Sequence, residues 1–388
     1  MISVSRLLCD EIGPGDYLRY GNNTDEEALS GKPPIVVWNC TKRCNLHCIH
    51  CYASASNEKF NDEMTTREGK NLITQLAEFG VPVLLFSGGE PLLREDFLEL
   101  ADETARLGLG LVVSTNGTAI DAKMAGEISK RKFREVGISI DAIGDNNDRF
   151  RGHKGAFDSA MTGIRHCVSL GIRVSLRMTV TRDNFKDVPA VLDLVERENI
   201  KRVCFYHLAY AGRGNDLRGI DLSHADTRET VDLICERTLD FYRRGNPKEI
   251  LLVGNHADGL YLYQKIRAQD EQRAAGIMSL LTVNGGNNSG IRIGAVDETG
   301  AVHPDQFWRN ITLGNIREKT FGDIWTDTTN PILAGLKNRK GLLKGRCAVC
   351  QYLDACNGNL RARAEAVYND IWMEDPSCYL SDKEIGIA

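Results

Sequence analysis

Seven of the twelve cysteines in this 388-residue chain fall into two groups. Cys44-Asn-Leu-His-Cys48-Ile-His-Cys51 puts three thiols on one short stretch, spaced C-x3-C-x2-C. Cys347, Cys350 and Cys356, followed by Cys378, make a second group near the end of the chain. In a reducing compartment such clusters read as metal ligands rather than disulfides. Three thiolates on a tight loop can hold three irons of a cubane cluster, leaving the fourth iron open to a small chelating molecule. A zinc knuckle is the alternative for the first group, with Cys40 or His47 as a fourth ligand, and a zinc ribbon for the second. Cys40 lies outside the three-cysteine pattern and reads as a core thiol. Cys9, Cys167, Cys204 and Cys235 sit in apolar or helical contexts and read as buried thiols.

The bulk numbers narrow the setting. Hydrophobic residues make up 42% and charged residues 26% of the chain, as in a globular protein. The net charge of −5 argues against broad nucleic-acid affinity. No apolar run approaches the roughly 18 residues that a membrane helix needs. The stretch MISVSRLLCDEIGPGDYLRY carries no cleavable signal pattern, which points to the cytoplasm.

The elements that must position the first cysteines alternate. Short Val- and Ile-rich runs at 35–38, 81–86, 110–114, 135–140, 173–181 and 202–207 read as strands. Segments 65–78, 93–107, 120–130, 156–170 and 188–198 show helical periodicity. Repeated β/α steps predict a parallel sheet with helices outside it. Six fall short of the eight that close a barrel, so the expected architecture is an α/β, TIM-like (β/α)6 partial barrel with a lateral mouth. Its chemistry belongs at the C-terminal strand ends. The expected organisation is a polar, irregular lead-in over 1–33, the barrel over 34–221, a helical bridge over 222–285 and a second-cysteine domain over 286–388. The bridge holds helices at 227–243 and 259–281. In the last domain, 291–296 and 301–303 flank a turn and read as a hairpin.

Over residues 34–210 the chain resembles the radical S-adenosylmethionine (SAM) superfamily. Cys44, Cys48 and Cys51 match its cluster ligands, with His50 before the third cysteine. Ser87-Gly88-Gly89-Glu90-Pro91 matches the segment that meets the SAM amino group. The glycines allow close backbone approach, and Glu90 supplies an acceptor. Ser114 and Asn116 end the third strand, Ser139 and Asp141 the fourth, and the resemblance places them toward SAM. Arg177, on the fifth strand, is placed to meet the SAM carboxylate. The implied chemistry is one-electron cleavage of SAM to methionine and a 5′-deoxyadenosyl radical, which takes a hydrogen atom from the substrate.

The second cysteine group resembles the SPASM or twitch extension of these enzymes, which implies a fully ligated [4Fe–4S] cluster on Cys347, Cys350, Cys356 and Cys378. Cysteines of a further cluster would fall near Asn287–Gly290 and at Asp305, where this chain has none, and Leu360 stands where the longer pattern has a cysteine. One auxiliary cluster is therefore expected, two clusters in all. The strings Cys204-Phe-Tyr-His-Leu-Ala-Tyr-Ala-Gly-Arg-Gly214, Asn255-His-Ala-Asp-Gly259, His303-Pro-Asp-Gln-Phe-Trp308 and Cys356-Asn-Gly-Asn-Leu-Arg-Ala-Arg-Ala364 are similar to the tetrapyrrole-modifying branch of alternative heme and heme d1 biosynthesis. That resemblance implies removal of two acetate side chains from 12,18-didecarboxysiroheme to give iron-coproporphyrin III. Propionate removal from the same precursor, as in heme d1 biosynthesis, and modification of a peptide or protein are the alternatives. An electron donor such as ferredoxin or flavodoxin is implied as a partner.

A carboxylate-rich iron macrocycle needs cations, flat apolar surface and an iron ligand. Arg213, Arg309, Arg361 and Arg363 are candidates for its carboxylates. Tyr206, Tyr210, Phe307 and Trp308 are candidates for stacking. His207, His256 and His303 are candidate axial ligands, and Asp305 is a further candidate for substrate contact.

Overall fold

A computed structural model describes residues 1–21 and 31–387. The segment 22–30 of the expected lead-in lies outside the described residues. The described lead-in is not irregular. It carries β1 (Ile2–Ser3), α1 (Val4–Cys9) and α2 (Asp16–Tyr20). The alternation then runs β2 (Ile35–Thr41), α3 (Thr66–Glu78), β3 (Val83–Gly88), α4 (Phe97–Arg106), β4 (Gly110–Thr115), α5 (Ala122–Lys130), β5 (Glu135–Ser139), α6 (Asp145–Arg151), α7 (Ala156–Ser169), β6 (Val174–Val180), α8 (Val188–Arg197) and β7 (Arg202–His207). The expected β/α steps are all present.

The stretch expected to be a helical bridge is not purely helical. After α9 (His224–Arg243), a fully buried strand β8 (Glu249–Val253) pairs parallel with β7. Its signal was the apolar run Ile250–Val253, bounded by Pro247 and Gly254. The single helix expected at 259–281 is two, α10 (Ala257–Arg267) and α11 (Glu271–Asn284), because Asp270 caps the second. Its side chain accepts from the Arg273 N–H, the bond that starts a helix. The predicted hairpin forms as β9 (Ile293–Val296) and β10 (Ala301–His303), followed by β11 (Gly314–Asn315).

Among the described residues, all eleven strands join one sheet, in the order β1-β8-β7-β6-β5-β4-β3-β2-β9-β10-β11. The run from β8 through β9 is parallel, and β1, β10 and β11 are antiparallel additions at the ends. The sheet therefore curls without closing, and the segment carrying the second cysteine group is hydrogen-bonded to the barrel through β9. At the N-terminal end of the strands an ionic network fills the interior. Glu135 and Glu249 are shared by Arg19, Arg173, Arg177 and Arg202, with Arg19 and Arg202 at 2.6 and 2.7 Å from Glu249. Among the described residues, no helix is long and apolar enough to cross a membrane.

One buried pair fixes the barrel mouth to the last segment. Arg363 and Asp375, both with fully buried side chains, meet at 2.7 Å. Arg363 also donates to the carbonyls of Leu208, after β7, and Gly254, after β8. The Arg363 candidacy for substrate carboxylates is thus corrected, since its donors serve Asp375 and two backbone carbonyls. Arg363→Ala strands the Asp375 charge in the interior, and chemical denaturation is expected to show a loss of about 3–5 kcal/mol.

Candidate active site

The loop after β2 is gripped from every side. Cys44 N–H donates to Ser56 O, His47 N–H to Arg151 O, Ile49 N–H to Phe150 O, and Arg213 N–H to Cys51 O. The Arg213 side chain adds bonds to the carbonyls of Cys48 and Ala55 at 2.8 and 2.9 Å. Gly88 and Gly89 close the grip. Gly89 and Glu90 donate their N–H groups to the carbonyls of Thr41 and Arg43. A Cβ on Gly88 would lie 2.3 Å from Thr41 O, and one on Gly89 2.2 Å from Arg43 O. These glycines admit the cysteine loop's own backbone, in addition to lining the cavity beside it.

Burial pushes the Cys44 thiol up to about 12 and raises Cys48 as well, partly offset by Arg151, whose Nη1 lies 3.6 Å from the Cys48 sulfur. Thiols held this way are poor anions by themselves and suit iron, which binds them as thiolates. Cys40 is fully buried, pushed up to about 12 by burial, and not part of the cavity wall.

The cavity at the C-terminal strand ends encloses about 1120 Å³ including its open mouth. Its wall contains Cys44, Cys48, Cys51, Gly88, Gly89, Ser114, Asn116, Ser139, Arg177, His207 and Arg213. It also contains Arg151 and Tyr52, which the sequence reading did not single out. Among the described residues, three arginines face it and no carboxylate side chain does. Arg151 Nε, Arg177 Nε and Arg213 Nη2 are buried without a hydrogen-bond partner among the described residues. The guanidinium groups on the wall, rather than these sealed nitrogens, suit acidic ligands, among them the carboxylate of SAM.

Two expected SAM contacts are corrected. Glu90 is fully buried and spent on the protein. It accepts from Thr115 Oγ1 at 2.7 Å, Asn116 N–H at 2.7 Å and Leu92 N–H at 3.1 Å, tying the ends of β3 and β4 together. Asp141 pairs with Arg151 at 2.6 Å and His50 at 3.2 Å and accepts from Thr179 N–H. Neither belongs to the cavity wall. Both act by holding residues that do.

A family model described as "Radical SAM superfamily" matches residues 38–195. Fe-coproporphyrin III synthase of Methanosarcina barkeri is 51% identical over 395 residues, covering 100% of this chain and 99% of that protein. The chain belongs to the radical SAM superfamily. Pre-heme d1 synthase of Dinoroseobacter shibae is 41% identical, covering 94% and 91%. Among solved structures, Streptococcus suis SuiB bound to S-adenosylmethionine superposes with a TM-score of 0.72 at 16% identity, covering 94% of this chain and 81% of that one, a likeness of fold. As a radical SAM enzyme, the chain takes a [4Fe–4S] cluster and SAM.

Several radical SAM substrate candidates lie elsewhere. Trp308 is fully buried, donates Nε1–H to Glu365 at 2.6 Å and packs with Leu336, Leu360 and Ala362. His303 is buried with both ring nitrogens occupied, Nδ1 at Ile311 O and Nε2 at Asp297. His256 is buried outside the cavity, and its backbone N–H is held by Asn359. Arg361 is fully buried and donates to the carbonyls of Ile371 and Met373, while Arg309 pairs with Glu298 at 2.7 Å. Asp305 is buried, bonded to Ser289 and to Phe307 N–H, with burial raising its carboxyl. It anchors Gln306 and Phe307, which do line the cavity. With Asn287 and Arg339 it makes a polar knot, and burial takes Arg339 down to about 9.

The second cysteine group surrounds a separate cavity. Cys347, Cys350, Cys356 and Cys378 all line it, together with Ala257, Leu260, Leu353, Leu380 and Ile385. Leu360 packs instead against the Trp308 group. Gly89→Ala drives a methyl into Arg43 O, so reconstituted protein is expected to hold less iron at the first site. Gly126→Ala, on α5 with open space around it, is expected to load normally. Iron analysis and visible absorbance check both.

Proposed function

We propose that this radical SAM enzyme removes the two acetate side chains of 12,18-didecarboxysiroheme, giving iron-coproporphyrin III. The observation that carries the reading is the inner cavity, whose wall has three arginines and no carboxylate, next to the Cys44–Cys51 loop. A tetrapyrrole with several acidic side chains suits such a wall. The 51% identical relative over the whole chain is named for the same product. Heme d1-type propionate removal is the second reading, favoured by the 41% identical relative.

When bound, the cluster and SAM supply a carbon radical that takes a hydrogen atom. The chain's own task is to place the substrate and exclude water. Tyr52 and Phe307 stand edge to face, with centroids 5.2 Å apart, and line both the inner cavity and an outer chamber. The outer chamber carries Lys42, Arg309 and Glu365 and encloses about 1360 Å³ with its open mouth. Tyr52 is fixed by Asn39 and Ser87 at 2.9 and 2.8 Å, so it presents a rigid ring. Tyr206 lines the inner cavity as well, whereas Tyr210 donates to Asp221 at its outer side.

An auxiliary [4Fe–4S] cluster on Cys347, Cys350, Cys356 and Cys378 belongs to this proposal. Four thiols spread around an apolar cavity suit a cubane better than one zinc ion, whose ligands meet at a point about 2.3 Å away. An outside donor of the ferredoxin or flavodoxin class would supply electrons. The reconstituted protein is expected to carry about eight irons, falling to about four in Cys347→Ala/Cys350→Ala. Anaerobic incubation with SAM, dithionite and 12,18-didecarboxysiroheme is expected to yield iron-coproporphyrin III by mass spectrometry, with two 5′-deoxyadenosines per product. Propionate loss would move the reading to the heme d1 type. An untouched tetrapyrrole beside 5′-deoxyadenosine would redirect it to a peptide substrate.

A further inference from the structure

Two histidines line the inner cavity, His50 and His207. His50 is closed to ligands: its Nε2 meets Asp141 at 3.2 Å and its Nδ1 is sealed in the interior. His207, the last residue of β7, is held differently. Its Nε2 lies 2.9 Å from Asp258 Oδ2, and the Tyr379 hydroxyl donates to Asp258 Oδ1 at 2.9 Å. Asp258 is fully buried at the start of α10, and among the described residues no Lys or Arg reaches it within ion-pair distance. A buried carboxylate must be hydrogen-bonded, and His207 and Tyr379 are the side chains that meet Asp258. Nδ1 of His207 has no hydrogen-bond partner among the described residues and is not sealed off.

Resting on the tetrapyrrole reading above, we propose that His207 is a substrate-binding residue whose Nδ1 hydrogen-bonds one side-chain carboxyl group of the macrocycle, with Asp258 and Tyr379 as the positioning residues that keep its ring aimed. This replaces the expectation that His207 ligates the substrate iron. Nδ1 sits beside the ring's own Cβ, which blocks face-on approach of a flat macrocycle, whereas a carboxylate on a flexible arm reaches it freely. The chain His207–Asp258–Tyr379 joins three segments of sequence: the end of β7, the start of α10 and the residue after Cys378.

The test is binding of 12,18-didecarboxysiroheme and of iron-coproporphyrin III to the cluster-loaded protein, followed by absorbance. His207→Ala is expected to raise Kd about tenfold, the scale of one hydrogen bond. Loss on both probes identifies a propionate as the partner, and loss on the first alone identifies an acetate. His207→Asn, whose amide nitrogen falls near the Nδ1 position, is expected to recover part of the affinity. His207→Gln, whose amide reaches toward Asp258 instead, is expected not to. Asp258→Asn keeps the bond to Tyr379 but removes the charge, and is expected to weaken binding at unchanged iron content. Unchanged Kd values in His207→Ala would overturn the inference and leave the tetrapyrrole reading standing. Failure of the wild-type protein to bind either probe would overturn both.

Discussion

Everything in the catalytic half depends on burying three thiols on one loop. Cys44 and Cys48 are almost sealed, and burial disfavours their anions. The fold answers with backbone bonds on all sides of the loop and one guanidinium, Arg151, against the Cys48 sulfur. That arrangement is costly unless a metal takes up the thiolates. It also explains residues that seem to belong to ligand recognition. Gly88 and Gly89 are glycines because the cysteine loop lies on them, and Glu90 is an acid because the ends of β3 and β4 need a common acceptor.

The same economy of charge runs through the rest of the barrel. At the base, Glu135 and Glu249 are outnumbered by arginines, and Arg177 leans to Glu135 at 3.4 Å while its Nε stays unpartnered. At the mouth, Arg151, Arg177 and Arg213 face a cavity without acids. The cavity wall is therefore cationic, although the whole chain carries a net charge of −5. Attraction for an acidic ligand is local to the cavity and not a property of the surface.

Much of this was legible beforehand. Period and composition fix the β/α steps, because buried parallel strands are short apolar runs and their helices are amphipathic. The cysteine spacings mark both cavities. What sequence could not separate is a polar residue that faces a ligand from one that holds its neighbour. Glu90, Asp141, His303 and Trp308 stand at suitable chain positions, yet each is spent on protein partners. Conversely, Arg151 and Tyr379 carry no motif, and their importance comes from long-range contacts with Cys48 and Asp258. Tyr52 left a faint signal by directly following Cys51. Asp258 lies in the Asn255–Gly259 stretch, fifty-one residues from its partner His207, a separation that local pattern does not bridge.

The most direct measurement is an anaerobic crystal structure with SAM and iron-coproporphyrin III bound. The account predicts SAM against Gly88, Gly89 and Arg177 beside the Cys44–Cys51 loop, with the macrocycle at Tyr52 and Phe307 and its carboxylates at Arg213 and His207. A porphyrin seated outside both chambers, with these side chains unengaged, would contradict it.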